Sequence, residues 1–456
     1  MADSNAKKLA QLLDGNGDVL LTNLDNISVT PASVSDVANT STGAFDLPSG
    51  TTAQRPGSPS AGYTRFNTDT GVMENYNGSG WLKVSAVPAV LNSVTGNIVN
   101  TLANSITLAG TGFLAANLIV SFTPSGGSAT TVTVTPSSDT AATVAIPSAT
   151  YGQSDGVVIS VKVTNSDGQI STSINKTVLA IPTGGTVTTS GDFKYHTFTS
   201  SGTFTNTISN LSVEYLIVAG GGGSTTYYGG GGGAGGLLSS TATPSVANHS
   251  IVIGAGGAGG TGSFGSGSNG SSGANSSALS VTATGGGGGG ARNAGLSGGS
   301  GGGGGNGSTS GGAGTSGQGN AGGNGSGTGG SSNISAGGGG GKGAAGTSGV
   351  YNSVNGNGGI GTNAYSVWAT ATSTGHSGYY AGGGGGGSVQ TGSITGASTG
   401  GTGGGGTGGR NSGAIAGIAG TANTGGGAGG GGENAGATGV AGGSGIVIIR
   451  YDTTAV

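Results

Sequence analysis

Val157, Ile159, Val161 and Val163 place an apolar side chain at every second position, the period of a strand with one buried face. Runs of the same kind at 106–113, 118–122, 131–135, 140–146, 157–164 and 170–178 are spaced like the strands of a β-sandwich. Residues 87–181 therefore read as one sandwich domain. Upstream, 46–86 predicts a three-stranded meander, with strands at 62–67, 72–76 and 81–84 and turns at 68–71 and 77–78. Its Tyr63, Phe66, Tyr76 and Trp81 are large for so small a unit, and three copies about an axis would bury them better than one. Residues 1–45 open on a helical pattern, Ala6, Leu9, Leu12 and Leu13 behind a Ser4 cap, that stops at Asp14-Gly15-Asn16-Gly17. Strand signals resume from Phe193, so 182–219 reads as a β lead-in to the C-terminal half. Two strongly apolar strands, 213–219 and 446–451, bracket the rest of the chain and are candidates to pair.

Glycine fills the space between those two strands. The 456-residue chain has 113 glycines, most of them between Gly220 and Gly445, with runs at 229–233, 285–290, 301–305, 337–341, 382–387, 403–406 and 429–432. Collagen would need a strict three-residue period and abundant proline, and neither is present. A flexible linker would not close on Ile446-Val447-Ile448-Ile449-Arg450-Tyr451. Extended left-handed helices with three residues per turn have no internal hydrogen bonds. Without side chains they can lie close enough to bond to one another and satisfy every buried amide. The expected fold is thus mostly β and polyglycine-II with little α-helix: N-terminal segment 1–45, meander 46–86, sandwich 87–181, lead-in 182–219, and a glycine-rich stack over 220–456 closed by 446–451.

Charge narrows the function. Only 6% of residues are charged, the net charge is −3 and there is no cysteine. Nucleic acid, which needs clustered Lys and Arg, is not an expected partner. Neither a signal peptide nor an apolar run of membrane-spanning length is read from the sequence. Asp14, Asn16, Asp18 and Asp25 echo a calcium loop, but Val19 stands where that loop needs glycine, so the segment reads as a helix stop. Gly337–Lys342 lacks the following helix of a phosphate loop. No carboxylate pair and no nucleophile with its base can be argued from spacing. We expect no enzyme, no cofactor and no metal. The tract's aromatic residues gather in spots: Tyr227, Tyr228, Tyr351, Tyr365, Trp368, Tyr379 and Tyr380, with His376 among them. Such side chains give large, rigid contact area at low entropic cost, and they are the candidate binding residues; packing at the ends of the stack is the competing role for each.

Three stretches carry resemblances. The run from Arg55 through Trp81 resembles a segment common in phage tail-fibre and other virion structural proteins, as does the opening Lys7-Lys8-Leu9-Ala10. Ile106–Phe113 and Val163–Gln169 resemble the IPT/TIG immunoglobulin-like domain, generally a spacer. Tyr215–Gly223, Ile251–Gly257 and Gly445–Tyr451 resemble phage adhesins in which polyglycine helices stack and the connecting loops meet a receptor. These resemblances imply a homotrimeric tail fibre or tail-tip adhesin on the virion, joined to other virion proteins by its N-terminal segment and binding a host glycan or outer-membrane protein. A head fibre or decoration protein without receptor specificity is the alternative. An ice-binding protein would need regular rows of small residues, and a depolymerising tailspike a carboxylate pair.

Overall fold

The structure, a computed structural model, describes residues 47–84, 87–114, 117–263, 266–327, 334–351, 356–388, 397–410, 415–432 and 438–456. The expected N-terminal helix and its stop lie outside the described residues. Strands dominate, and α-helix is confined, among the described residues, to α1 (Ser148–Tyr151) and α2 (Ser366–Thr372). The chain divides into two compact units, Met1–Ser85 and Ala86–Val456.

In the first unit β2 (Thr64–Asn67), β3 (Val72–Tyr76) and β4 (Trp81–Lys83) form the expected meander. A short β1 (Ser49–Gly50) adds to it in parallel, with Ser49 opposite Phe66. Its buried face is polar. Arg65, Asn67 and Glu74 are all buried, and Glu74 accepts from Arg55 Nη2 at 2.6 Å and from Asn67 Nδ2 at 3.0 Å. Tyr76 and Trp81 pair at 5.5 Å between ring centres, whereas Tyr63 and Phe66 stay exposed. Phe66 stands opposite Met73 and so turns away from the paired Arg65 and Glu74. An apolar face is thereby left without a partner from its own sheet.

The sandwich pairs two sheets. One is β5 (Val90–Thr95), β7 (Ser105–Thr111) and β10 (Ala141–Ala145); the other runs β6 (Ile98–Val99), β12 (Ile174–Leu179), β11 (Val158–Thr164), β8 (Leu118–Pro124), β9 (Thr130–Val134). The alternation in β11 sends Ile159, Val161 and Val163 into the shared core with Ile106, Leu108, Phe113 and Phe122. The β5 and β6 strands, unmarked in the sequence reading, complete it.

Next come β13 (Thr186–Ser190), β14 (Phe193–Phe198), β15 (Gly202–Asn206), β16 (Val213–Val218), β17 (Leu237–Ala242) and β18 (Ala247–Ile251). Two short hairpins succeed them: β19 (Gly262–Ser263) with β20 (Ser266–Gly267), and β21 (Ser276–Ala278) with β22 (Val281–Ala283). The last strand, β23 (Ile446–Asp452), enters a five-stranded sheet in the order β13-β14-β23-β16-β17. Val218 faces Ile446 on one side and Leu237 on the other. The two apolar strands that bracket the glycine tract do pair, and so does the chain's first return. Under this sheet Phe204, Ile208, Leu211, Val213 and Ile449 share one apolar cluster with Val99 and Leu102 of the sandwich.

The glycine runs continue outward from that sheet. Residues 229–236 show their geometry. Gly230 and Gly233 donate to Gly290 and Gly287, Gly231 and Ala234 to Gly337 and Gly340, and Gly232 and Gly235 to Ala428 and Gly425, at 2.8–3.0 Å. The target changes with every residue and repeats every third. No residue of 229–236 has a positive φ, so the run is a left-handed, three-per-turn extended helix. Its carbonyls accept from three further runs: from Gly303 and Ser300, from Gly222 and Ala219, and from Gly384 and Gly387. Residues 229–236 are therefore ringed by six neighbours. The ring is itself closed by bonds such as Gly286 to Gly220, Gly287 to Ser300, Gly340 to Gly301, Gly339 to Gly384, Gly430 to Gly385 and Ala428 to Gly222.

The expected stack packs hexagonally, and several runs are surrounded in this way: 219–224 and 299–305, like 229–236, each bond to six neighbours. The packing has a physical origin. A three-fold helix points its amides in three directions and its carbonyls in three others, so a run deprived of side chains can bond all round rather than only to two faces. The inner runs are accordingly almost pure glycine. A Cβ built on Gly231 would land on the Gly384 carbonyl oxygen, and one on Gly232 on that of Gly222. Ala234 is tolerated because its methyl joins an apolar cluster with Leu216, Leu237 and Ala381. Outer runs need glycine in fewer directions: along 254–260, Gly254, Gly257 and Gly260 are buried while Ala255 and Ala258 are exposed.

Candidate functional site

The register of the bundle sorts the candidate residues to two ends. Strand β16 leads directly into residues 219–224, Tyr228 closes the turn, and 229–236 returns to β17 beside its start, with Ala219 N–H on the Gly236 carbonyl at 3.0 Å. The turn at 225–228 thus lies at the end of the bundle away from the sheet. Tyr351 lies at that far end too. Gly341 sits at the near end, level with Ala234, and the chain climbs through Gly346, bonded to Ala321, to Gly349, bonded to Asn324. Tyr365, Trp368, His376, Tyr379 and Tyr380 are instead at the near end, where Ala381 N–H meets the Thr424 carbonyl and Gly235 meets Gly425.

At the near end most of these side chains pack. Trp368 on α2 is buried, with its ring edge on Tyr195 at 6.1 Å and on Tyr365 at 5.8 Å. The Arg450 guanidinium lies 4.4 Å from the Trp368 ring centre and 4.2 Å from that of Phe193. Glu214 holds it with both carboxylate oxygens, each 3.0 Å from Nη2. Tyr365 closes its hydroxyl onto Ser239 Oγ. Tyr380 is fully buried, its hydroxyl 2.5 Å from Thr374 Oγ1, and burial pushes its pKa up. His376 and Tyr379 exchange main-chain bonds across a tight turn; His376 is exposed and Tyr379 half-buried. For Trp368 and Tyr380, both buried, packing is therefore the role and surface binding is not. Both rings fill the seam between the bundle and its sheet, because β14 and β23 end in aromatic and charged side chains that need a cover.

At the far end Tyr227 and Tyr228 stand consecutively at φ 56° and 60°, a left-handed conformation that costs a bulky side chain about 1–3 kcal/mol. Tyr228 is buried beside Ile334, with Tyr227 packed partly against them; the two rings meet edge to face at 6.0 Å. Tyr228 therefore anchors the turn, and Tyr227 keeps some surface. Tyr351 is 50% exposed. Arg292 is exposed in the turn that follows Gly290, whose neighbour in the bundle is Gly230. These side chains can offer aromatic and cationic contact at the end of a scaffold that main-chain bonds hold rigid.

The Arg450 clamp was not anticipated. Its signal lay in two apolar strands carrying one opposite charge each, Glu214 and Arg450, which the register places face to face. Among the described residues no three His, Asp or Glu side chains gather at metal-binding reach, and no helix is long and apolar enough to cross a membrane.

The fold defines a mostly β protein whose C-terminal half is a main-chain-bonded glycine bundle seated on a five-stranded sheet, with connecting loops at both of its ends. The chain belongs to the glycine-rich domain family, which matches residues 199–452, more than half of its length. No curated protein matches it.

Proposed function

We propose that this is a phage virion structural protein, a tail fibre or tail-tip adhesin that meets a host surface receptor through the far end of its glycine bundle. The observation that carries the reading is the placement of Tyr227, Tyr351 and Arg292 at the end of the bundle opposite the sheet. Exposed aromatic and Arg side chains on a rigid support are the usual anchors of a binding surface. Two consecutive left-handed tyrosines add stored strain of the sort that collects at functional turns. Under this reading the sandwich is an immunoglobulin-like spacer, the first unit joins other virion proteins, and the apolar face bearing Phe66 serves a homotrimer. The receptor is a surface glycan or an outer-membrane protein, no chemistry is performed on it, and the protein acts outside the cell on the virion.

Antibody against the bundle tests the proposal. It is expected to label the tail end of the particle and to block adsorption, and Tyr351→Ala with Arg292→Ala, both at exposed side chains, to reduce adsorption while leaving the melting temperature unchanged. Label confined to the head, with adsorption intact, would replace the proposal with the head-fibre alternative.

A further inference from the structure

The runs around 229–236 are not all alike. Five of them, 219–224, 299–305, 336–341, 381–388 and 425–432, each bond to six neighbouring runs, whereas 285–290 bonds to only five. The amides of 285–291 point in three directions, as a helix with three residues per turn requires. Gly286 and Gly289 donate to the Gly220 and Gly223 carbonyls, and Gly287 and Gly290 to those of Ser300 and Gly303. The third direction, that of Gly285, Gly288 and Ala291, opens between runs 268–275 and 293–298. There the outline of the bundle has a notch, at a corner that no run fills among the described residues.

Main-chain groups line the notch on three sides. Gly288 is buried, and its N–H has no acceptor among the described residues, which is rare for a buried amide. Gly270, Gly273 and Leu296 turn their amides toward 285–290, so the next direction of both flanking runs, into the notch, is a carbonyl one. The Gly270, Gly273 and Ser297 carbonyls accept no N–H among the described residues. At its two ends the notch already holds amides. Asn269 Oδ1 accepts from the Ala291 N–H at 3.0 Å, while its Nδ2 donates to the Ala294 carbonyl at 3.0 Å. Asn275 Oδ1 accepts from the Gly285 N–H at 2.9 Å. The Asn269 side chain takes an N–H from one run and gives one to the next, as a peptide bond placed there would do.

Filled corners show what fits. Runs 254–260, 343–349 and 415–420 bond to three other runs apiece. All three carry glycine at every third residue, and side chains as large as isoleucine stand between. Outside the bundle this chain has no stretch of that pattern. We infer that the notch is a binding groove for an extended segment of a partner polypeptide, with three residues per turn and glycine at every third position. Its glycines face 285–290. Its carbonyls accept from Gly285, Gly288 and Ala291, displacing the two asparagine side chains, and its amides donate to the carbonyls on both flanks. The groove runs along the side of the bundle rather than across its end, so the inference does not rest on the receptor reading.

The test adds a fluorescent peptide of three Thr-Ser-Gly repeats, about 28 Å long when extended, to the full-length protein. Saturable binding is expected, with a dissociation constant of about 1 mM or below and slower exchange of the Gly288 amide. A peptide of Thr-Ser-Ala repeats, whose methyl groups would meet 285–290, is expected not to bind. Ser272 is exposed and lies midway between Asn269 and Asn275 in the same register. Ser272→Asn places an amide opposite Gly288 and is compatible with folding. It is expected to weaken binding about tenfold, the equivalent of one hydrogen bond. The inference is overturned by absence of saturable binding up to about 10 mM, or by equal binding of the alanine peptide or to the Ser272→Asn protein. Binding that leaves exchange of the Gly288 amide unchanged overturns it too.

Discussion

Replacing Gly231 by alanine tests the bundle at its centre. The added methyl meets the Gly384 carbonyl oxygen, and run 381–388 must shift by about 1 Å to restore a carbon–oxygen contact of roughly 3.3 Å. Overpacking of this kind costs about 1–3 kcal/mol. The shift also lengthens the bonds from Gly384 N–H to Gly232 and from Gly339 N–H to Gly384. Each is a buried main-chain bond whose loss costs about 1–3 kcal/mol. Alanine recovers about 0.4–1 kcal/mol by restricting the unfolded chain. The balance is a loss of about 3–5 kcal/mol, or about 5–10 °C in melting temperature for a domain of this size. Ala258→Gly on an outer run, where the methyl is exposed, removes only the unfolded-state restriction and should cost at most about 1 kcal/mol. Calorimetry with amide exchange over 229–236 reads both variants. A Gly231→Ala protein that melts within about 1 °C of the parent, or rapid exchange of 229–236 in the parent, would refute the argument that backbone bonding alone builds this region.

Arg450→Met should destabilise the seam by about 2–4 kcal/mol, since it breaks the Glu214 ion pair and removes three cation–aromatic contacts, to Phe193, Tyr195 and Trp368; loss of near-ultraviolet signal from Trp368 before global unfolding checks it. His196 is buried, its Nδ1 2.8 Å from the Gly184 carbonyl and its Nε2 without a partner, and burial lowers its pKa. The unfolded state therefore binds the proton more readily, so stability is complete above the ordinary histidine range and falls as the pH drops through it; His196→Gln should flatten that slope in denaturant titrations. Glu74, held below the usual carboxylate range by the Arg55 hydrogen bond, gives the first unit stability that is present above that range and lost as the pH falls through it. Glu74→Gln should remove the acid dependence and cost about 2–4 kcal/mol. On the outer run 268–275, Asn269 Oδ1 and Asn275 Oδ1 cap the Ala291 and Gly285 amides, but Gly288 N–H between them has no acceptor among the described residues. Ser272→Asn should supply one and raise stability by about 1 kcal/mol.

Much of this architecture was legible because its causes are local. The alternation at Val157–Val163 shows which side of β11 is buried, and Asn77-Gly78 and Asp69–Gly71 mark their turns. The glycine runs also showed that main chain would replace an apolar core. The six-fold surround was hidden, because any glycine run could bond to any other and nothing in 229–233 or 301–305, both surrounded, names its neighbours. The division of the aromatic residues between two ends was hidden for the same reason: it depends on the direction in which each run travels. The polar centre of the meander was missed because Arg65 and Glu74 alternate with Phe66 and Met73, and burial of either set satisfies the period of two.

One fully surrounded run, 229–236, belongs to an early part of the glycine tract. Residues 229–236 are translated long before Gly425 and Ala428, yet both are needed to complete their shell. Until the ribosome has released 384–387 this run lacks two of its six neighbours, and until it has released 425–428 it still lacks one. The bundle must consequently assemble after synthesis and in a concerted step, with the slow kinetics of contacts far apart in sequence. A product cut short before β23 would lack not merely an edge but the strand that holds the first and last turns of the winding together.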